Sequence, residues 1–154
     1  MTIYWLGWVR TLTPEYAVER FDVAHTDALV LLWQECGLTK HWNDPHKDIE
    51  RKLKDPVGGL FVVRDQESLV ASVMLGYDGH RGSVYYLAVH PSYQGRGLGR
   101  LLMAYCDTFL LALECPKINL YVRDSNLKVL DFYDHLDYVV DPSVVLGRRL
   151  IADH

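Results

Sequence analysis

Residues 87–100 read LAVHPSYQGRGLGR, and three glycines, Gly95, Gly97 and Gly99, alternate with long side chains where an apolar run ends and a helical pattern begins. A strand must therefore turn directly into a helix at this point, and something must come close to the backbone there. The start of a helix carries unpaired backbone N–H groups and a partial positive charge, and glycines leave no Cβ between those groups and a phosphate. Arg96 and Arg100 add charge-assisted donors at the same turn. A pyrophosphate is the ligand this run suits best. The pattern alone does not separate that role from a merely tight strand-to-helix connection. No Gly-Lys-Ser/Thr follows, so the run is not a Walker loop. G-x-G-x-x-G is absent as well, and the preceding elements form a meander rather than an opening βαβ, which speaks against a dinucleotide unit.

The rest of the chain places that turn. Ala17 to Val23 reads as a short strand, and Thr26 or Asp27 can cap a helix in which Leu29, Leu32, Trp33 and Cys36 recur at helical spacing, with Gly37 as its stop. In WNDPHKDIERKL, Asp44 is a natural N-cap with Pro45 at the first helical position, and Ile49 and Leu53 form a narrow apolar stripe. Residues 59–90 hold three apolar β-rich runs separated by Asp65-Gln66-Glu67 and by Asp78 to Gly82, the pattern of an antiparallel meander with His80 in a hairpin loop. A helix led by the glycines and ending before Pro116 follows, with Leu98, Leu101, Leu102, Tyr105, Phe109 and Ala112 on one face. Lys117 to Arg123 reads as a strand, Asn126 to Leu136 as a helix, and VVDPSVVLGRRLI as one or two closing strands. The crossover from residues 84–89 through the glycine-led helix to residues 118–122 is long enough to join parallel strands, and a ligand then binds at their carboxyl ends.

Composition narrows the class. The 154 residues are 49% hydrophobic, enough for a core without disulfides or a structural metal, and a net charge of −4 lacks the basic excess of nucleic-acid binders. Cys36, Cys106 and Cys115 are odd in number and widely spaced, which suits a reducing cytoplasm rather than a disulfide framework or zinc cluster. No run approaches the ~20 apolar residues of a membrane helix, and MTIYWLGWVRTLTPEY does not read as a secretory leader. Residues 1–16, with Trp5 and Trp8, are expected as an N-terminal extension to one domain over 17–154, the two tryptophans capping it, packing on a partner chain or stemming from a mistaken start site; a homodimer is compatible with this pattern.

Gln94-Gly95-Arg96-Gly97-Leu98-Gly99 resembles the Q/R-x-x-G-x-G/A signature of the GNAT family of N-acetyltransferases, and it follows a strand ending A-V-H-P where the family has A-V-x-P. VRDSNLKVLDFYDHLDY resembles the family's second motif, in which an Asn opens a helix and a Tyr follows seven residues later; Asn126 and Tyr133 match. The resemblance spans about residues 17–151, and WNDPHKDIERKL, YDGHRGSVYYLAVHP and CPKINL are similar to the YpeA type of bacterial acetyltransferase. It implies an α+β fold: a mixed, mostly antiparallel sheet of six to seven strands, helices on both faces and a splayed parallel pair at a cofactor cleft.

The resemblance also implies acetyl-CoA as cofactor and an amine, on a small molecule or a protein, as acceptor. Leu87, Ala88 and Val89 would run along the pantetheine arm, with the N–H of Ala88 or Val89 polarising the thioester. Gln94, Gly95, Arg96, Gly97, Leu98, Gly99 and Arg100 would grip the pyrophosphate. Tyr133 would act as general acid to the sulfur, although spacing alone reads it as a core aromatic beside Val129 and Leu136. Asn126 would bond the pantetheine amide, cap its helix, or both. Some protein N-terminal acetyltransferases carry a Glu where this chain has Tyr121, which weakens that acceptor class. Glu35, Asp44, His46, Tyr85, Tyr86 and Tyr121 are the candidates for the acceptor pocket, the base being open among them; Asp44 also reads as an N-cap and His46 as a solvated helix position. A chain that binds acyl-CoA without turning it over is the non-enzymatic alternative. Asp137 stands where the family has Gly after the last helix, and Asp tolerates the left-handed geometry that turn needs.

Overall fold

The computed structural model describes residues 15–153; Trp5 and Trp8 lie outside the described residues. The chain runs β1 (Val18–Arg20), α1 (Thr26–Glu35), α2 (Pro45–Leu53), β2 (Gly59–Asp65), β3 (Ser68–Tyr77), β4 (Gly82–Val89), α3 (Leu98–Ala112), β5 (Ile118–Leu120) and α4 (Leu127–Asp134). One sheet in the order β1-β2-β3-β4-β5 joins all five strands, antiparallel up to β4 and parallel between β4 and β5. Apolar residues in succession along β2 bury both faces of the sheet. Leu60 and Val62 pack with Leu29, Leu32 and Trp33 of α1, and Phe61 and Val63 pack with Leu98, Leu102 and Leu110 of α3. Each such side chain contributes about 1.5–3 kcal/mol when fully buried. Tyr133 of α4 belongs to the α3 side, Ile49 of α2 to the α1 side.

Local chemistry sets the ends of the elements. Asp44 accepts from the N–H groups of His46 and Lys47, with Pro45 at the first position of α2. Gln66, at φ 54°, makes the tight turn between β2 and β3. Asp78 Oδ1 accepts from the N–H groups of both His80 and Arg81 in the next hairpin loop. After α4, Asp137 takes φ 64° and Tyr138 N–H returns to the Tyr133 carbonyl, so the turn survives without glycine.

Several expectations are corrected. The described sheet has five strands rather than six or seven. No closing strand forms over 139–151, where Val139, Val140, Val144, Val145, Leu146, Leu150 and Ile151 are exposed. The β-rich composition there meets no partner edge, and β propensity has little force without one. Ion pairs lie at both ends of this segment: Asp141 to Lys117, and Asp153, only 3% exposed, to Arg51 and Lys47 of α2. The expected strand from Lys117 to Arg123 shrinks to Ile118–Leu120 because only its first residues find β4. The expected strand from Ala17 to Val23 ends at Arg20, since Asp22 accepts from Ala24 N–H and starts a 3₁₀ turn at Val23–His25. Leu53 stays exposed. Among the described residues no helix is long and apolar enough to cross a membrane.

Arg51 donates to both carboxylate oxygens of Asp153 at 2.7 and 2.8 Å and, with Lys47, holds that carboxyl down at about 2. A depressed carboxyl contributes its pairing above about pH 4 and loses it as the pH falls through about 2. Trypsin should therefore cut after Arg148 and Arg149 faster in Asp153→Asn than in the parent chain at neutral pH, as read by mass spectrometry. Equal rates would show that the pairing does not hold the segment.

Candidate functional site

The site begins where β4 parts from β5. The two strands pair only through Gly82–Ile118, Ser83–Asn119 and Val84–Leu120, so β4 continues from Tyr85 to Val89 with no described strand on that side. On the other side its register with β3 shifts between Ser72 and Met74, a bulge at which Tyr86 takes φ 48°. Positive φ is costly for a tyrosine, by about 1–3 kcal/mol where the surroundings enforce it. A buried network does so here. Trp33 Nε1 donates to Ser72 Oγ at 2.9 Å, Ser72 Oγ donates to the Tyr86 carbonyl at 3.1 Å, and the Trp33 and Tyr86 rings stack at 3.8 Å. Beyond the bulge, His90 N–H donates to the Val70 carbonyl. Antiparallel alternation then turns the peptide groups of Ala88 toward β3 and those of Val89 toward the uncovered side.

The glycine run is a sharp turn into α3. Gly95 and Gly97 have φ 79° and 80°, Gly97 is the N-cap of α3, and no side chain caps that end. A Cβ on either would meet nothing within 4 Å, so the approach to the helix start is open. Gly99 differs. A Cβ there would lie 3.1 Å from Cζ of Phe132, so it permits α3 and α4 to close on one another. Gln94 Nε2 donates to the Val89 carbonyl at 3.3 Å, while its Oε1 accepts from Lys128 Nζ at 3.4 Å. Arg96 is engaged locally, 4.6 Å over the Tyr93 ring and bonded to Tyr16 Oη and the Ser92 carbonyl. Arg100 is exposed on the first turn of α3.

On α4, the Asn126 side chain accepts from Val129 N–H and caps the helix. Tyr133 is 7% exposed, edge-on to Phe132 and Tyr138. Burial first, and Cys106 second, push its hydroxyl up to about 12. It makes no hydrogen bond among the described residues, which leaves the proton available to a ligand.

The opposite face holds a cavity of about 400 Å³ lined by Leu38, Asn43, Asp48, Met74, Tyr85 and Tyr86. Tyr86 Oη donates to Asp48 Oδ2 at 2.7 Å, and Asn43 Nδ2 donates to the same oxygen. Burial, followed by the bond to Asp48, pushes the Tyr86 hydroxyl well above the usual phenol range. Tyr85 stacks on Tyr121 at 5.9 Å. Of the expected acceptor residues, Tyr85 and Tyr86 line this cavity and Tyr121 adjoins it. Glu35 instead reaches His90, 3.3 Å away. Asp44 is occupied as an N-cap, and His46 lies between Asp27 and Asp44 at 3.5 and 3.6 Å. Asp48, Asn43 and Ser72 were not singled out by sequence reasoning, and Trp33 was read only as part of an apolar helix face. Asp48 lies in a polar stretch of α2 that reads as a solvated face, and its partner Tyr86 is 38 residues away. Among the described residues no group of His, Cys, Asp and Glu is arranged to hold a metal.

With this geometry established, comparison with known proteins gives a consistent result. The model of the "Acetyltransferase (GNAT) family" matches residues 25–138. A protein of Yersinia pestis (strain Pestoides F) named acetyltransferase is 46% identical over 127 residues, 82% of this chain and 90% of its own length. An acetyltransferase of Yersinia enterocolitica is 44% identical over 133 residues, 86% of this chain and 94% of its own. Among solved structures, AAC(6')-Iy in complex with a bisubstrate analogue, CoA-S-monomethyl-acetylneamine, superposes with a TM-score of 0.73 at 15% identity, covering 88% of this chain and 99% of that one. The ribosomal-protein-S18-alanine N-acetyltransferase of Escherichia coli gives 0.68 at 20% identity, over 79% and 76%. At these identities the structures show a shared fold.

Because Gly97 is constrained by φ rather than by space, Gly97→Ala should lose about 1–2 kcal/mol in urea unfolding. Gly97→Asn, which tolerates the left-handed region, should lose less. Equal losses would show that the conformation is not the constraint.

Proposed function

The chain belongs to the GNAT acetyltransferase family, and from that premise we propose that it transfers the acetyl group of acetyl-CoA to a primary amine of a small molecule or protein by direct attack in a ternary complex. The observation that carries this reading is the uncovered edge of β4 followed, after a 3₁₀ turn at Pro91–Tyr93, by an uncapped helix start where Gly95 and Gly97 leave the backbone open. Those residues suit an extended arm ending in a diphosphate. The similarity to YpeA-type acetyltransferases belongs to the same proposal.

Acetyl-CoA supplies the thioester that acylates the amine. The turn from Gln94 to Gly99 and the Arg100 guanidinium bind its diphosphate through backbone N–H groups and charge. Leu87 to Val89 hold the arm as an added strand would. Between the two candidate donors, the N–H of Val89 rather than that of Ala88 faces outward to polarise the thioester oxygen, because Ala88 is turned toward β3. Asn126 caps α4 and thereby fixes where Tyr133 stands. The Tyr133 hydroxyl holds its proton through neutral pH and donates it to the departing sulfur. The acceptor enters from the α1 and α2 face, at the cavity beside the bulge.

Tyr133→Phe should lower kcat by about 100-fold or more while CoA binding, read by calorimetry, changes little. Since burial pushes the hydroxyl up to about 12, no alkaline fall in rate between pH 7 and 10 should trace to it; any such limb should persist in Tyr133→Phe. Unchanged turnover in the variant would remove Tyr133 from proton transfer.

A further inference from the structure

The cavity beside the β4 bulge is lined by one formally charged side chain among the described residues, Asp48; the other lining groups are apolar, aromatic or a neutral amide. The nearby arginines Arg51, Arg148 and Arg149 line an adjoining cavity instead. Arg51 commits both of its terminal nitrogens to Asp153 at 2.7 and 2.8 Å and stands 3.5 Å from Asp48 Oδ1. Asp48 is thus incompletely neutralised, and with its side chain 20% exposed it is partly withdrawn from water. A charge in that setting attracts its opposite more strongly than on an open surface.

Two donors hold the carboxylate still. Tyr86 Oη and Asn43 Nδ2 both reach Oδ2, and Tyr86 is itself clamped against Trp33. A carboxylate accepts about four hydrogen bonds, so acceptor capacity remains for a ligand N–H. The Tyr85 face, stacked with Tyr121, borders the same space and suits a cation over its ring. Tyr86 precedes Ala88 by two residues on β4, which puts the carboxylate one tyrosine side chain away from the strand where acetyl transfer is proposed.

We propose that Asp48, positioned by Tyr86 and Asn43, selects the acceptor by binding a positively charged group of a small amine, a group distinct from the amine that is acetylated. The inference rests on the acetyl transfer proposed above and adds the substrate class: a short diamine or a similar amine with a second cationic group.

The test compares three primary amines of one chain length, 1,4-diaminobutane, butylamine and 4-aminobutyrate, with acetyl-CoA as donor. The parent chain should favour the diamine over butylamine by about tenfold or more in kcat/KM, a difference of one well-placed charge contact, and should use 4-aminobutyrate worst. In Asp48→Asn, which keeps the shape and can still accept from Tyr86, the diamine-to-monoamine ratio should fall toward one through a rise in the diamine KM. Tyr86→Phe, which keeps the stack on Trp33, should give an intermediate ratio. Calorimetry on CoA-saturated protein reads the same contact without turnover: diaminobutane should bind about tenfold more weakly to Asp48→Asn. Equal handling of diamine and butylamine by the parent chain, no diamine binding in the millimolar range, or an undiminished preference in Asp48→Asn would overturn the proposal. CoA binding and butylamine acetylation by the parent chain separate the two levels. If they stand while the diamine preference is absent, Asp48 falls alone; if CoA does not bind, acetyl transfer falls with it.

Discussion

A wholly buried serine hydroxyl holds the functional architecture together. Ser72, on β3, accepts from the Trp33 indole and donates to the Tyr86 carbonyl. A hydroxyl left without partners in this position would cost about 1–3 kcal/mol, so the pair of bonds ties α1, β3 and β4 into one arrangement. Its consequence is the bulge that lets Tyr86 sit at positive φ. The bulge in turn aims Tyr86 at α2 and sets the alternation that leaves the Val89 peptide facing the uncovered side of β4.

From that strand the molecule presents two unlike environments. Toward α3 and α4 lie an uncapped helix start, two left-handed glycines, an exposed arginine and a buried tyrosine hydroxyl. Backbone dipoles make this side favourable to anions. Toward α1 and α2 lie tyrosine faces and one fixed carboxylate, which favour the opposite charge. A bisubstrate reaction between an anionic carrier and an amine is consistent with this division, and the strand that separates the two sides supplies the peptide groups proposed to act on the bond between them.

Much of the fold was legible because its signals are local. The glycines at 95 and 97 mark left-handed positions, Asp44-Pro45 announces a helix start, and the alternation of apolar runs with polar turns in residues 59–89 identifies a meander. Asn126 and Tyr133 were singled out by the resemblance to the family's second motif, since helical spacing alone reads Tyr133 as a core aromatic. Failures occur where local preference needed a distant partner. The valines and leucines of 139–151 have strand-like composition, yet they pair with no strand, and the segment is tied instead through Asp141 to Lys117 and through Asp153 to Arg51. Gly99 reads as a neighbour of the same turn; only the packed structure shows that it also makes room for Phe132, a contact between two helices.

The sequence by itself determined the order of elements, the turn before α3 and the family, because each depends on residues within a few positions of one another or on a matched motif. Tertiary structure decided the side proposed for the acceptor. Asp48 differs in no local respect from the solvated carboxylates around it, and it is fixed at the cavity only when folding brings Tyr86 and Asn43 to one of its oxygens. Periodicity reports which face of a helix meets the core, whereas the charge environment of a cavity depends on groups far apart in the chain whose distances are set only when the sheet and helices pack.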